Sequence, residues 1–310
     1  MTPDFIISLL AGMVRIAIPI GFAALAGVLS ERAGVINMGL EGMMLLGSFF
    51  SVVGSYASGN AWVGLLTGML AGLVLGLMHA TLTIGFKCEH LLSGVGINIL
   101  ADGLSIVLLQ IIWNTKGKSS IVAGLGKISL PVIDRIPVIK DIFGTISPLF
   151  VLLLALAILF QFVIYHTRFG LRVRVIGDNP EMAGSMGINV YRTQFICVSL
   201  SGILAATGGA YLSIGDINMF SKDMVAGRGY IALAMVILGG WNPIGAAAAG
   251  LVYGFAQSLQ IRLQGLESVA IPAQLVQMIP YIITILVLFV ARRKGSAPAA
   301  EGVHYYRKGE

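Results

Sequence analysis

The stretch AWVGLLTGMLAGLVLGLMHA (residues 61–80) holds no Asp, Glu, Lys or Arg in 20 residues. A helix needs about 20 apolar residues, each rising 1.5 Å, to cross a bilayer. This segment is therefore long enough to span on its own. Glycines recur in it every four residues, at Gly64, Gly68, Gly72 and Gly76. At helical pitch they share one face and form a smooth stripe on which a neighbouring backbone can approach closely. The stripe predicts tight helix packing and by itself says nothing of transport.

The rest of the chain shares this character. Of its 310 residues 57% are hydrophobic and 11% charged, with a mean hydropathy of +0.91, whereas soluble domains carry about 25% charged residues. A soluble core of this size would lack the charges to cover its surface, so the composition predicts an integral membrane protein. The net charge of +6 is no nucleic-acid signal, because the basic residues lie in short clusters between apolar runs, the pattern that orients membrane proteins. Cys88 and Cys197 match no ligand spacing and read as small buried hydrophobes. No metal-ligand cluster and no nucleophile–base pair stands out. The N-terminus MTPDFIISLL lacks a basic leader region and reads as mature sequence. Gly117-Lys118-Ser119 has the ending of a phosphate loop, but the glycine such a loop needs five residues earlier is Ile112, and the flank IIWNT is no strand-to-helix turn.

Apolar windows fall near 5–29, 35–57, 61–85, 91–113, 147–166, 193–215, 230–241, 245–263 and 273–291. The seventh is short for a crossing and runs into GGWNPIG (239–245), whose glycines and Pro243 break a helix. The sequence thus predicts a broken or re-entrant element near 225–245, followed by a full span; such backbone is tolerated at membrane depth where protein or a watery cavity surrounds it. Arg15 sits in the middle of the first window, which suggests an interfacial helix turning near Arg15, with the crossing starting around Pro19. The expected fold is an all-α polytopic membrane protein with eight to ten transmembrane helices. Residues 1–294 form one transmembrane domain. Placing the loop 167–192 inside puts the larger share of Lys and Arg there, and the RRK at 292–294 anchors the last span on the same side. The C-terminus is then cytoplasmic, the N-terminus outside and the segment 114–146 extracytoplasmic. The tail 295–310, GSAPAAEGVHYYRKGE, is small and polar and is expected to be disordered.

Polar groups within spans are the informative ones, since a charge at mid-membrane costs roughly 2.5–3.5 kcal/mol. Glu41, Asn98, Asp102, Gln257 and Gln274 are candidates for a path through the membrane, and Arg15 and His79 join them as embedded polar groups. Asn98 and Asp102 are four apart and share a helix face, fit either for an interhelical hydrogen bond or for lining a path. His79 reads as a satisfied structural histidine. Glu41 lies about six residues past the start of its span, roughly 9 Å deep; it is either ion-paired, with Arg15 an available partner, or faces a cavity. In the loop 167–192, Asp178 or Asn179 can cap a short helix, Pro180 takes its first turn, Glu181 complements its dipole and Gly187 ends it. Met182, Ala183, Met186 and Ile188 give that helix a small apolar face. The loop is either an inert connection or a docking site for a soluble partner.

Several stretches in this order, ERAGVINMGLEGMMLLGS, LLSGVGINILADGL, VIGDNPEMAGSMGINV, LSGILAATGGAYLS and AGRGYIALAMVILGGWNPIGA, together resemble permease subunits of ATP-binding-cassette importers. The group is that of the branched-chain amino acid and simple-sugar permeases, and the resemblance to its nucleoside-uptake branch is strongest. It implies a transport subunit without enzymatic activity or bound cofactor, with ATP and Mg²⁺ used by partner chains. Those partners would be a second homologous permease, more often a different chain than an identical one, two cytoplasmic ATPase subunits and an extracytoplasmic substrate-binding protein. The resemblance also implies that Gly177, Asp178, Asn179, Pro180, Glu181, Ala183, Gly187 and Ile188 form the coupling helix docked on the ATPase, flanked by Arg172 and Arg174. Substrates of the group include nucleosides, simple sugars and related small solutes. From the residues alone, an ion-coupled transporter or channel using Glu41 and Asp102 stands as a rival, as does a membrane scaffold with no path.

Overall fold

The glycine stripe of residues 61–80 is also where the packing of the chain is easiest to see. The computed structural model describes residues 3–126, 147–264, 272–290 and 297–306. In it α1 spans Pro3–Glu31, α2 Leu40–Ser58, α3 Ala61–Ala80 and α4 His90–Trp113, with a π-type turn Thr81–Gly85 ending α3. Then follow α5 Pro148–His166, α6 Arg168–Asp178, α7 Pro180–Ser185 and α8 Val190–Ala210, the last continued by a π-type segment Tyr211–Ile217. Finally come α9 Arg228–Leu238, α10 Pro243–Gln264, α11 Ala273–Gln277 and α12 Ile279–Val290. Among the described residues there is no strand, only an isolated bridge between Lys118 and Ser221.

Among the described residues seven helices are long and apolar enough to cross a membrane: Phe5–Glu31, Leu40–Ser58, Ala61–Gly85, His90–Trp113, Pro148–His166, Val190–Ile217 and Pro243–Gln264. Two shorter apolar helices, Arg228–Leu238 and Gln274–Phe289, join them among the described residues. The chain is an all-α, multi-pass membrane protein. The break expected near 225–245 is visible: α9 has 11 residues, about 16 Å of helix, half of what a bilayer core needs. It stops where Gly240 (φ 65°) and Trp241 (φ 52°) take left-handed conformations ahead of Pro243.

Local signals set the other turns. Gly59 (φ 67°) closes α2, and the Asn60 side chain accepts a hydrogen bond from Trp62 N at 2.9 Å to start α3. Ser147 and Pro148 open α5 in the same manner, with Ser147 Oγ accepting from Leu149 N.

The second half of α1 is the centre of the molecule. Ile18, Ile20, Phe22, Leu25 and Leu29 are all buried, and α8, α9 and α10 pack around them. On the other side α3 lies against α2 and α8. A Cβ at Gly64 would come within 2.5 Å of Ser51 O, at Gly72 within 2.3 Å of Gly202 O, and at Gly76 within 3.0 Å of Val198 O. At Gly68 it would meet Ser51 Oγ and the Gly47 carbonyl. The outward faces of α3, α4 and α5 carry Leu66, Leu70, Ile99, Ile111, Ile158 and Phe162, all exposed in the isolated chain, as a lipid-facing or partner-facing surface requires.

Two expectations are corrected. No turn occurs near Arg15, since α1 is continuous from Pro3 through Pro19 to Glu31. The Arg15 guanidinium pairs with Asp216 and remains largely open, so its charge is not left in hydrocarbon and the helix has no reason to break. The tail is not disordered over residues 297–306: Ala300 N donates to Gly177 O and Gly302 N to Gly34 O. Its composition is polar, but its backbone groups find partners at Gly177 near the end of α6 and at Gly34 in the α1–α2 connection. Residues 127–146 of the segment 114–146, and the basic triplet 292–294, lie outside the described residues.

Candidate functional site

The stretch that opens α2 holds its carboxylate against a helix of the opposite half of the chain. Gly227 N donates to Glu41 Oε1 and Gly229 N to Glu41 Oε2, both at 2.7 Å. These are free N–H groups at the start of α9, where the helix dipole favours negative charge. Glu41 therefore caps α9 with both oxygens. Gly229 leaves room for nothing larger, as its Cβ would lie 2.5 Å from Glu41 N. The pairing of Glu41 with Arg15 offered by the sequence is not made, because Arg15 bonds Asp216 instead.

Asn98 completes the junction. Its Oδ1 accepts from Gly42 N at 2.8 Å, while its Nδ2 donates to Met38 O at 3.0 Å and to Tyr230 Oη at 2.8 Å. One buried amide thus ties α4 to the start of α2 and to the first turn of α9. Asn37 stitches the preceding turn, donating to Ser201 Oγ at 3.0 Å and accepting from Gly39 N at 3.1 Å. Asp102, one turn beyond Asn98, is exposed and near Lys222 and Asp223. The two residues share a helix but not an environment. His79 is buried, with Nδ1 2.9 Å from Ser93 Oγ and Nε2 3.1 Å from Ile36 O.

Beside the start of α9 opens a cleft of about 510 Å³, lined by Phe5, Arg15, Leu212, Asp216, Arg228 and Arg262 among others. It sits at the end of α1 opposite Glu31. The Arg228 guanidinium donates through one nitrogen to Met224 O and Val225 O, while its Nε is buried without a hydrogen-bond partner. Ser258 on α10 donates to Leu9 O at 2.8 Å and also faces the cleft. Gln257, next to it, does not line the cleft and has a buried Oε1 without a hydrogen-bond partner. Gln274 is exposed on α11, so the five path candidates do not converge on one chamber. Asp216, Arg228 and Tyr230 were not singled out by the sequence reading. The signal for Asp216 was an unpaired Arg15 in need of a carboxylate, obscured because the span ending at Ile217 was read as ending at 215.

At the other end of α1, α6 and α7 form a helical hairpin. Thr167 caps α6 by accepting from Gly170 N, and Asn179 caps α7 by accepting from Met182 N at 2.9 Å. Pro180 takes the first position of α7, and Gly187 at φ 78° follows its end. Arg172, Asp178 and Glu181 are exposed, Ile188 is half-buried, and Arg174 stacks over the Tyr165 ring. Met182 and Met186 are 50% and 70% exposed. Ala183 departs from the expected face: it is fully buried against Ile176 and Val190. A helix of six residues cannot show both flanks, and the side toward the membrane domain takes the small residue. Gly177 is likewise a packing position, where a Cβ would lie 2.4 Å from Arg32 O.

Among the described residues no group of three His, Cys, Asp or Glu could hold a metal ion, and Cys88 and Cys197 are unpaired thiols. Gly117 to Ser119 run alongside Phe220 to Lys222, with Ser119 N donating to Phe220 O.

Comparison with known proteins agrees with this geometry. Residues 9–288 match the family model described as "Branched-chain amino acid transport system / permease component". The chain is 38% identical to the nucleoside ABC transporter permease protein NupC of Lactococcus lactis, over 96% of each chain. It is also 38% identical to the guanosine ABC transporter permease protein NupQ of Bacillus subtilis, over 94% of each. A second guanosine permease of that Bacillus strain, NupP, is 24% identical over 90% of this chain and 79% of its own. Among solved structures, an inward-facing conformation of a putative metal-chelate type ABC transporter aligns with 90% of this chain and 85% of its own, at a TM-score of 0.52 and 16% identity. That likeness is one of fold. The chain belongs to the branched-chain amino acid transport system / permease component family, as a membrane-embedded transport subunit and not an enzyme.

Proposed function

We propose that this chain is the permease subunit of an ATP-driven nucleoside importer. The observation that carries the reading is end-to-end similarity to a nucleoside and a guanosine permease at 38% identity. In this reading the α6–α7 hairpin lies on the cytoplasmic side with the C-terminus and docks on an ATPase subunit, which holds the ATP and Mg²⁺. The N-terminus and the cleft of Arg15 and Asp216 face outward, toward a substrate-binding protein. A second, homologous permease chain completes the path. The weaker similarity to NupP beside NupQ, two guanosine permeases of one strain, favours a pair of unlike chains.

The chemistry of α9 supports an uncharged solute. The start of a helix broken within the membrane is ordinarily a site for an anionic group. Here Glu41 already occupies it with both oxygens, so the start of α9 is not a bare positive dipole end. The same contact counts against Glu41 as a coupling carboxylate of a secondary transporter, since both oxygens are held by the backbone.

Labelled guanosine uptake into vesicles tests the proposal, with this chain purified together with its partner permease, ATPase and binding protein. ATP-dependent uptake, competed by unlabelled nucleosides and not by excess glucose or ribose, is the expected result. Uptake by this chain without an ATPase, or competition by sugar alone, would replace the reading with an ion-coupled carrier or a sugar permease respectively.

A further inference from the structure

Residues 297–306 come after the last helix and lie back across the hairpin end of the molecule. Their anchorage is mainly backbone. Ala300 N donates to Gly177 O at 2.9 Å and Gly302 N to Gly34 O at 3.0 Å. At Gly177 a Cβ would meet Arg32 O at 2.4 Å and the Pro298 side chain at 3.2 Å, so α6, the connection from α1 to α2 and the tail meet where only glycine fits.

Beyond this crossing the segment makes contact in two directions. Toward the hairpin, the Tyr305 ring packs on the buried cluster of Ile176, Ala183 and Val190, and its hydroxyl fills the space where a Gly184 Cβ would stand. The Tyr305 carbonyl accepts from Lys87 Nζ at 2.7 Å and from Tyr191 Oη at 3.3 Å. Toward the membrane domain, the Glu301 carboxyl lies beside Glu31 and the Trp241 indole, and burial raises it above its ordinary range. Trp241 Nε1 donates to Glu31 Oε2 at 2.6 Å, and Arg32 Nε donates to Trp241 O at 2.7 Å. Trp241 lies three residues past α9 and, with Gly240, takes the left-handed conformations of the turn that follows it. The hairpin's own helix contacts run chiefly to α5 and α8, whereas the tail touches both α7 and the turn that follows α9.

We propose that residues 297–306 are a strap that couples the α6–α7 hairpin to the half-helix α9, with Tyr305 and Glu301 as its positioning residues. When the hairpin is displaced, Tyr305 moves with α7, and Glu301 passes the shift to Trp241 and so to the base of α9. The helix capped at its far end by Glu41 is thereby moved from its near end. The inference rests on the reading of the hairpin as the ATPase-docking element.

The test uses the complete transporter in vesicles and records solute uptake and ATP hydrolysis in the same sample. Three variants are compared with the unaltered complex: Tyr305→Ala, Glu301→Ala, and a chain ending at Lys294. The expected result is an assembled complex in which uptake per ATP hydrolysed falls about tenfold in the shortened chain and less in each single variant, within the range usual for coupling between sites. A shift of Trp241 fluorescence on ATP addition that is present in the unaltered complex and lost in Tyr305→Ala would support the same route, after Trp62 and Trp113 are replaced by Phe. An unchanged ratio in all three variants would overturn the proposal. So would loss of assembly in all three, which would make the strap a folding element only. If the unaltered complex shows no ATP-dependent uptake, the functional reading itself fails and the strap's role falls with it.

Discussion

Along α3 backbones touch over four successive turns, whereas at α9 close backbone approach is confined to Gly229 and Gly239 at its two ends, and the polar attachments are made by side chains. Gly64, Gly68, Gly72 and Gly76 bring α3 so close to α2 and α8 that a Cβ at any of them would meet another chain segment at 3.0 Å or less. Such an interface gains dispersion over its whole length and has no second arrangement to move into. At α9 a buried apolar face of Ala232, Met235 and Val236 is joined by few polar attachments: Glu41 and Asn98 at the start, Trp241 with Glu31 and Arg32 past the end. Each polar contact can be broken and remade singly, and a helix of half-membrane length can tilt without dragging a full span. The first region builds a frame, and the second is where movement is affordable.

The largest effect is expected in the frame. A Cβ at Gly72 would come within 2.3 Å of both Gly202 O and the Ala206 side chain. Gly72→Leu should destabilise the protein by about 3 kcal/mol or more, because neither backbone can retreat. Thermal unfolding in detergent reads this directly. A Tm unchanged from the unaltered protein would mean that α3 and α8 do not pack as described.

The same assay sharpens the contrast at α9. Removing the carboxylate in Glu41→Ala gives up two charge-assisted hydrogen bonds, about 3 kcal/mol in total at the lower end of their range. The loss falls on a local attachment, so uptake should drop about a hundredfold while Tm moves less than in Gly72→Leu. Glu41→Gln keeps one acceptor oxygen and should lose about tenfold, with unchanged preference among nucleosides. A Tm loss in Glu41→Ala as large as that of Gly72→Leu would erase the distinction between frame and moving part.

If the hairpin docks on an ATPase as proposed, it should separate packing from docking on a smaller scale. Met186 is 70% exposed and Ala183 is fully buried. Met186→Glu should leave Tm within the small range of surface changes, about 0.5 kcal/mol, yet reduce the amount of ATPase that co-purifies. Ala183→Arg should instead disorder α7, and Asn179→Ala should weaken its start by about 1 kcal/mol. Equal co-purification in Met186→Glu would remove the exposed methionines from the docking face.

What the sequence made legible follows the same division. Membrane class, the glycine stripe and the break ahead of Pro243 are local in the chain and were readable as apolar length, four-residue spacing and helix-breaking residues. The start of α7 was readable too, because Asn179 and Pro180 act on their immediate neighbours. The contacts of Glu41 were not, because its partners Gly227 and Gly229 lie 186 and 188 residues away and offer only backbone N–H groups, which every residue but proline carries. The burial of Ala183 escaped for a related reason. In so short a helix the apolar face cannot be assigned to solvent or core without knowing what packs beneath it, and Tyr305 of the tail had been assigned to disorder on composition alone.

The smallest effect is expected where sequence and structure part over a shared helix face. Asn98 is buried and uses its amide three times, while Asp102 one turn on is exposed. Spacing made them equals, yet only one is part of the attachment of α9. Asp102→Asn keeps the side chain's shape, removes its charge and touches no hydrogen bond of the α9 junction. ATP-driven uptake should therefore stay within about twofold of the unaltered transporter, the range usual for an exposed substitution. Asn98→Ala, measured beside it, should lose uptake because it leaves Gly42 N and Tyr230 Oη without their partner. A loss in Asp102→Asn as deep as in Asn98→Ala, at unchanged ATP hydrolysis, would extend the mobile region from α9 along α4 and restore a carboxylate to the path.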